Sequence, residues 1–320
     1  MKKSWVTQLN NMIKECLFKE CQAIKLENEL IRVIILPKMG GKVASIYRKD
    51  KDFELLYQNK EEVYKKPKIY DTFSEYDASG FDDAFPSIDI SKVNISGKEI
   101  LYPDHGEIWS ADFTYRVDNE KVYLIYESTI LKYKYEKIFS LSKDNLIAEY
   151  KILNFGEDEV PCIWAMHSLI VCEEDMELIF PTDTHEIINV LNSKFLGEVG
   201  KIHSYPLTIT SEGKPYELNK ILPLSSNNME KYYVKGAVTE GICGAYYPSK
   251  DVNYRVYFDK SKLPYLGFWI TEGGFRGDYN CALEPTNGYY DSIEIAEKEQ
   301  GLYKIKPNEA LEFILRIEIK

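Results

Sequence analysis

Hydrophobic and polar residues alternate with a period of two over most of the chain. Leu131, Tyr133 and Tyr135 are separated by lysines, and a similar alternation runs from Leu146 to Ile152. Successive side chains of a β-strand point to opposite faces, so this pattern predicts strands with one face against a core. Further strand-like runs lie at residues 31–36, 43–47, 122–126, 254–258, 266–270 and 311–319, with turn residues between them. The prediction is a series of antiparallel β meanders.

Two segments have a helical pattern instead. Apolar residues in the first recur at the i, i+3, i+4 spacing of one helix face: Leu9, Met12, Ile13, Cys16 and Leu17. We therefore predict a short N-terminal helix within an extension over residues 1–20. A second short helix is predicted at residues 291–300, with Asp291 as its N-cap and Gly301 in the left-handed position after it.

No composition break, low-complexity linker or internal repeat divides the 320 residues. Helices do not alternate with the strands, which argues against a doubly wound α/β fold. We predict one all-β domain over residues 1–320, since large β architectures often reach this length.

Charge and cysteine content restrict the partners and the compartment. Acidic residues exceed basic ones by 51 to 40, for a net charge of −11, which opposes binding to nucleic acid or to an anionic membrane. No apolar run has the length of a signal peptide or a membrane span. The six cysteines have neither zinc-ligand nor disulfide-scaffold spacing, so we expect free thiols, no metal and a cytoplasmic protein.

Common catalytic motifs are missing from the sequence. It contains no GxGxxG, GxxxxGK[ST], GxSxG or HExxH pattern. Nucleotide binding, serine hydrolysis and zinc proteolysis are therefore disfavoured. The remaining candidates are ionisable residues in unusual surroundings.

Two histidines stand out. His105 lies in a turn-like segment beside Gly106 and Trp109, a composition typical of sugar sites, although a surface loop capped by Asp104 would look the same. His167 is the one ionisable residue in the middle of an apolar strand, residues 160–170. A buried imidazole there has a lowered pKa, but a core histidine with satisfied hydrogen bonds is the alternative.

Glu284 is the third candidate. It ends a short apolar strand directly before Pro285, which forces it out of helical geometry and would hold its carboxylate at a strand end. The alternative is a solvated glutamate at the end of a strand.

Taken in order, these segments resemble the galactose mutarotase (aldose 1-epimerase) family over about residues 22–320. The resemblance rests on an ordered set of motifs: Pro37 to Gly41, Gly80 to Pro86, His105-Gly106, the strand His167, and Leu283-Glu284-Pro285. It implies a β-supersandwich fold and a metal-independent, cofactor-independent mutarotase. By position it assigns His167 as the general acid, Glu284 as the general base and His105 as a second histidine near the sugar ring oxygen.

Other sugar contacts follow less directly. The family also uses an arginine and an aspartate, and neither has an evident counterpart here. Asp82 or Asp83 could bind hydroxyls, and Trp109, Trp269 or Phe275 could stack on the ring, with core packing as the alternative for each aromatic residue. Arg276, close to Asp278, could lie over the pocket or simply in a solvated turn.

Three functions remain open at this point. The first is a mutarotase acting on a free aldohexose, as a monomer or homodimer with a small-molecule sugar as its partner. The second is a hexose-phosphate 1-epimerase, which needs a cationic clamp that the sequence does not show. The third is a non-catalytic carbohydrate-binding protein on the same scaffold.

Overall fold

The computed structural model describes residues 11–76 and 78–320, and nearly all regular structure in them is β. The first half of the chain contributes β1 (Met12–Phe18), β2 (Cys21–Glu27), β3 (Ile31–Leu36), β4 (Lys42–Arg48), β5 (Phe53–Glu54), β6 (Phe81–Ala84), β7 (Ser91–Ile95), β8 (Lys98–Tyr102), β9 (Thr114–Asp118), β10 (Lys121–Glu127), β11 (Tyr133–Ser142), β12 (Asn145–Asn154) and β13 (Val160–Cys162).

The second half continues with β14 (Ala165–Ser168), β15 (Ile170–Val171), β16 (Glu177–Ile179), β17 (Glu186–Asn189), β18 (Ile202–Ser204), β19 (Leu207–Ile209), β20 (Pro215–Glu217), β21 (Asn228–Val234), β22 (Ile242–Tyr247), β23 (Val252–Phe258), β24 (Tyr265–Glu272), β25 (Tyr279–Thr286), β26 (Tyr303–Ile305) and β27 (Ala310–Ile319). Helix α1 spans Ile293–Lys298. Short 3₁₀ helices lie at Lys49–Lys51, Phe73–Glu75, Ile108–Ser110, Leu224–Ser226 and Pro248–Lys250.

Two large antiparallel sheets contain most of these strands. A 13-stranded sheet has the order β1-β2-β3-β4-β6-β14-β25-β24-β21-β17-β18, with β5 beside β4 and β15 beside β25. An 8-stranded sheet has the order β16-β22-β23-β27-β12-β11-β10-β9. Apolar side chains from both sheets belong to one continuous buried cluster; for example, the rings of Phe53 on β5 and Tyr247 on β22 lie 4.9 Å apart. The predicted all-β sandwich is confirmed.

The alternation in the sequence is the direct cause of this packing. Along β11 the residues alternate between buried and half-buried positions, with Tyr133, Tyr135 and Phe139 facing the core. The same period of two continues in β12 and β27, which lie next to β11 in the sheet. Each of the strand runs predicted from this pattern forms a strand.

The predicted N-terminal helix is wrong where the structure describes it. Residues 12–18 form β1, which pairs antiparallel with β2 through a turn at Lys19 and Glu20, both with positive φ. Residue 9 and the rest of the first ten residues lie outside the described part of the chain. β1 is an edge strand without a fully buried face, so its apolar residues do not alternate with the period of two that predicts a strand.

The predicted C-terminal helix exists, but its ends differ from the prediction. Ser292 rather than Asp291 is the N-cap, since its side chain accepts a hydrogen bond from the backbone N–H of Ile295. Gln300 rather than Gly301 has the left-handed conformation, with φ of 59°. Asp291 thereby remains available for contacts elsewhere.

Two other findings concern the chain as a whole. All six cysteines are free thiols, as expected from their spacing. Over residues 11–76 and 78–320 no helix combines the length and the apolar character needed to cross a membrane.

Candidate functional site

A row of residues crosses five neighbouring strands of the 13-stranded sheet. Asp82 on β6 lies opposite His167 on β14, while Glu284 on β25 lies opposite Gly267 on β24, which in turn lies opposite Tyr233 on β21. Strands β14 and β25 are adjacent. Residues directly opposite each other on adjacent strands point to the same face, so these side chains share one side of the sheet. We call this set the cross-sheet row.

The β14–β25 register joins the two halves of this row. Ala165 is paired with Thr286, and Ile170 with Cys281, so the residue numbers of each pair have the same sum. The intervening His167 therefore lies opposite Glu284. The sheet brings together two candidates that are far apart in sequence.

His167 and Glu284 face each other at close range. The distance from Nε2 of His167 to Oε1 of Glu284 is 3.9 Å. Glu284 is completely buried, and neither of its carboxylate oxygens has a hydrogen-bond partner among residues 11–76 and 78–320. Burial raises the pKa of Glu284, and the ammonium of Lys231, 3.6 Å from Oε2, opposes this rise.

The imidazole of His167 is nearly buried as well. Its Nδ1 is without a hydrogen-bond partner in the described part of the chain. Burial, together with the charges of His105 and Lys231, holds the pKa of His167 well below its ordinary value. Without a ligand the histidine is therefore neutral at neutral pH.

His105 reaches the same place from a loop. Its ring centroid is 4.9 Å from that of His167, and its ring is stacked on Phe73 at 4.1 Å. Nδ1 lies 2.7 Å from a carboxylate oxygen of Asp104. Burial would raise the pKa of Asp104, but the contact with His105 outweighs it and keeps that pKa below its ordinary value.

Gly106 allows this loop to approach the sheet. Its φ is +70°, and a Cβ built on it would lie 1.9 Å from the backbone oxygen of Phe85. Only glycine combines that conformation with that contact. The His-Gly pair recognised in the sequence therefore has a steric basis.

A cavity of about 260 Å³ opens in front of His167. This lies just below the range of roughly 300–1,000 Å³ typical of small-molecule sites. Its walls combine histidines, carboxylates and aromatic rings: Phe73, Asp89, Asp104, His105, His167, Lys231, Trp269, Phe275, Asp278 and Asp291. Glu284 is not part of the cavity surface but lies behind it, in contact with His167 and Lys231. The arrangement suits a small polar ligand with an apolar face.

The two adjacent aspartates have different places. Asp82 lies on the His167 side of the sheet, where it makes a buried ion pair of 2.8 Å with Lys42. Asp83 points to the opposite side, into the core. Because strand neighbours alternate between faces, only one of the two could point toward the pocket.

The expectation that Asp83 binds sugar hydroxyls is therefore corrected. Its carboxylate accepts hydrogen bonds from the ammonium of Lys137 at 2.6 Å and from the hydroxyls of Tyr135 and Tyr150 at 3.1 and 3.0 Å. These donors belong to the 8-stranded sheet. Asp83 joins the two sheets, which is a structural role.

The predicted aromatic residues and Arg276 also differ in position. Trp269 lines the cavity, with Phe275 edge-on beside it. Trp109 does not line this cavity; it is buried, and its indole N–H donates to the backbone oxygen of Asp104 at 2.8 Å, so it supports the His105 loop. The guanidinium of Arg276 donates to the backbone oxygens at positions 74 and 76, and so fixes a neighbouring loop.

Lys231 and Asp291 were missed in the sequence. Nζ of Lys231 lies 3.0 Å from Oδ2 of Asp291, and the hydroxyl of Tyr233 donates to Oδ1 of Asp291 at 2.8 Å. Lys231 lies in the buried strand β21, a signal of the kind that identified His167. In the sequence Lys231 follows Glu230, and an adjacent pair of opposite charges is common on protein surfaces.

Comparison with known proteins identifies the family of the chain and its fold. Residues 8–296 match the family described as "Domain of unknown function (DUF5107)". A galactose mutarotase-like protein from Lactobacillus casei superimposes with a TM-score of 0.67 at 15% identity, covering 93% of this chain and 100% of that chain. A galactose mutarotase-like protein from Clostridium acetobutylicum gives 0.62 at 17% identity, covering 97% and 99%.

A Klebsiella pneumoniae protein whose description gives aldose 1-epimerase as its assumed activity has a TM-score of 0.71 at 12% identity, covering 98% of this chain and 84% of that chain. No curated protein matches by sequence. Similarity at such low identity shows the fold alone. The chain therefore has a galactose mutarotase-like fold and belongs to the family described as "Domain of unknown function (DUF5107)".

Proposed function

We propose that the protein is an aldose 1-epimerase, which interconverts the α and β anomers of a free aldohexose by opening and reclosing the ring. The observation that carries this proposal is the buried carboxylate of Glu284, which lacks hydrogen-bond partners in the described chain and faces His167 at 3.9 Å. An unsatisfied buried carboxylate is costly, so its presence beside a cavity calls for a functional explanation.

The reaction needs an acid and a base at the anomeric centre. The C1 hydroxyl would have to enter between His167 and Lys231 to contact Glu284, which lies behind the cavity surface. Glu284 then takes the proton of that hydroxyl while His167 delivers a proton to the ring oxygen, and the C1–O5 bond breaks. Rotation about the C1–C2 bond and reclosure with the reverse proton transfers give the other anomer. His105, which contacts Asp104 and Phe73, would hydrogen-bond the sugar near the ring oxygen in this mechanism.

The two catalytic groups must carry one proton between them. A buried imidazolium with a lowered pKa is the minor form at neutral pH but a correspondingly strong acid. The raised pKa of Glu284 makes its carboxylate a stronger base than an exposed glutamate. The two groups are close enough that the pH profile belongs to the pair rather than to either residue.

The charges around the cavity favour a neutral sugar over a phosphorylated one. Asp89, Asp104, Asp278 and Asp291 all line it. Lys231 is already paired with Asp291 and close to Glu284. A phosphate would need an uncommitted cationic clamp. Trp269 offers a flat apolar surface on which a sugar ring can stack.

Saturation-transfer NMR on a panel of sugars tests this proposal. The exchange between anomers would be measured for glucose, galactose, mannose and glucose 6-phosphate, with and without protein. We expect accelerated exchange for at least one free aldohexose and a smaller acceleration for the phosphate ester. A preference for the phosphate would favour the hexose-phosphate epimerase. Binding of a free sugar without exchange would favour a carbohydrate-binding protein.

A further inference from the structure

Glu284 has an unusual electrostatic environment that acid–base chemistry alone does not explain. Its carboxylate is fully buried and without hydrogen bonds among the described residues, conditions that favour the protonated form. A protonated glutamate cannot act as a base. Some neighbouring group must therefore keep the negative charge in place.

The groups that face this carboxylate come from four parts of the fold: His167 on β14, Lys231 on β21, His105 in the loop after β8, and Asp291 in the turn after β25. Lys231 comes nearest among the described cationic side chains, with Nζ 3.6 Å from Oε2, against 3.9 Å for His167. Asp291 is a like charge and works against ionisation.

Lys231 itself is fixed on two sides. Its Nζ lies between Glu284 and Asp291, with the shorter distance, 3.0 Å, to Asp291. Tyr233, two residues further along the same strand, donates to the other oxygen of Asp291. The carboxylate of Asp89 also acts on this ammonium.

One more charged pair lies on this face. Lys42 and Asp82 form a buried ion pair beside His167, and the charge of Lys42 acts on that histidine. The pKa of Glu284 depends mainly on burial and then on Lys231, and Lys42 is not among the main groups that shift it. Among the groups that favour the ionised form of Glu284, Lys231 therefore has the largest effect and His105 a smaller one.

We propose that Lys231 is a positioning residue that keeps Glu284 ionised as the base, and that Asp291 anchors this lysine and moderates its effect. This inference rests on the proposed function for its catalytic meaning. The link between Lys231 and the charge of Glu284 can be measured whether or not the protein epimerises a sugar.

The pKa directions support this geometry. Burial alone would lower the pKa of Lys231, but Asp291 and Glu284 outweigh it and keep that pKa raised, so the lysine stays charged. Lys231 lowers the pKa values of both Glu284 and His167, whereas Asp291 raises that of Glu284. Removing the lysine should therefore shift the working pH range of the pair upward, and neutralising Asp291 should shift it downward.

Two substitutions with opposite expected signs test the proposal. Lys231→Met keeps the length of the side chain and removes its charge, while Asp291→Asn keeps its shape and removes a like charge. The δ-carbon of Glu284 would be titrated by ¹³C NMR, with its signal assigned by its loss in Glu284→Gln. An opposite charge at this distance typically changes a carboxyl pKa by about 1 to 3 units. We expect an upward shift of that size in K231M, a downward shift in D291N, and a midpoint close to wild type in Lys231→Arg.

Kinetics provide the second readout. The pH optimum of anomer exchange should move up in K231M and down in D291N. A purely structural lysine would instead reduce exchange at every pH without moving the optimum or the Glu284 midpoint, and that result would overturn the inference. If K231M does not fold, the downward shift in D291N still has to appear, and its absence would contradict the proposal.

Failure of the proposed function would look different. If the wild type accelerates no aldose while the Glu284 midpoint moves as expected, the epimerase assignment fails and the electrostatic role of Lys231 stands. If the wild type exchanges anomers rapidly but the Glu284 midpoint does not move in the variants, the epimerase assignment stands and the electrostatic role of Lys231 fails.

Discussion

Asp83 and Glu284 are both completely or almost completely buried carboxylates on adjoining parts of one sheet, yet their surroundings are opposite. Asp83 accepts hydrogen bonds from one ammonium and two hydroxyls across the sandwich interface. Glu284 has no hydrogen-bond partner within 3.5 Å in the described chain; Lys231 at 3.6 Å and His167 at 3.9 Å are its nearest polar neighbours. Both were candidates from sequence.

The difference separates a structural carboxylate from one suited to chemistry. Both oxygens of Asp83 accept hydrogen bonds from the 8-stranded sheet, on the side away from His167, so this carboxylate joins the two sheets. Glu284 loses little on protonation and can gain a hydrogen bond from a ligand hydroxyl. The face of the strand on which a residue lies decides which of these two environments it enters.

The largest expected effect is the loss of folding stability when Asp83 is neutralised. Asp83→Asn leaves the ammonium of Lys137 buried without its ionic partner, and breaking a buried pair in this way typically costs about 3–5 kcal/mol. Urea unfolding should show this loss in the free energy of unfolding. Anomer exchange per folded molecule should remain close to wild type; loss of exchange at unchanged stability would place Asp83 in the site instead.

A second pair of buried carboxylates, Glu230 and Glu272, extends the comparison to pH. Burial raises the pKa values of Glu230 and Glu272 to about 7, from 4.5 in the unfolded chain. The folded state therefore holds these two protons more tightly than the unfolded chain does. The contribution of these protonated carboxyls to the free energy of unfolding is fully present below about pH 4.5 and is lost as the pH rises to about 7. Each group contributes on the order of 3 kcal/mol to this loss.

Glu230→Gln should remove much of that pH dependence. Because glutamine does not ionise, the free energy of unfolding of the variant should fall less between pH 4.5 and pH 8 than that of wild type. Urea unfolding of both proteins at both pH values measures this difference. Equal pH dependence in the two proteins would show that Glu230 ionises freely in the folded state.

Gly267 tests the crowding around Glu284. A Cβ at this position would lie 3.1 Å from Oε2 of Glu284 and 3.1 Å from the ring of Tyr233, so one of them must shift by a few tenths of an ångström. We expect Gly267→Ala to slow exchange about tenfold, since small displacements of catalytic groups are costly. Gly156→Ala is the control: its Cβ would lie 2.8 Å from Cβ of Lys132, a closer contact remote from the site, and its exchange rate per folded molecule should equal that of wild type. Unchanged exchange in both variants would show that the position of Glu284 is not critical.

Removal of metal ions is expected to have no effect on anomer exchange. Acid–base ring opening needs no metal, so incubation with EDTA followed by dialysis should leave the exchange rate unchanged. Loss of activity that returns with added Mg²⁺, Ca²⁺ or Zn²⁺ would contradict the assignment of His105 and His167 as metal-free groups.

Strands such as β11, β12 and β27 were predictable because each alternates over ten residues, but β1 and many of the short strands were not. The apolar residues of β1 satisfy a helical spacing by chance, and Leu17 is largely exposed. The turn that pairs β1 with β2 uses Lys19 and Glu20 at positive φ, without the asparagine or glycine that usually marks such a hairpin. Only contact with β2 decides that this segment is a strand.

The grouping of residues at the candidate site was predictable in part for a related reason. His167 and Glu284 are conspicuous locally, as a charged group inside an apolar run and as a carboxylate before proline. Lys231 and Asp291 acquire their meaning only from each other and from Glu284, which are distant in sequence. Asp82 and Asp83 could not be distinguished until the strand register fixed which one shares the face of His167.

The most direct test of the account is the rate of anomer exchange in Glu284→Gln, with sugar affinity measured in parallel. The substitution keeps the shape of the side chain but removes a base, so exchange should fall by about 10² or more while affinity changes little. Glu230→Gln, a buried glutamate on the other face of β21, should exchange anomers at the wild-type rate. If Glu284→Gln also exchanges them at the wild-type rate, Glu284 is not the base and the central claim is wrong.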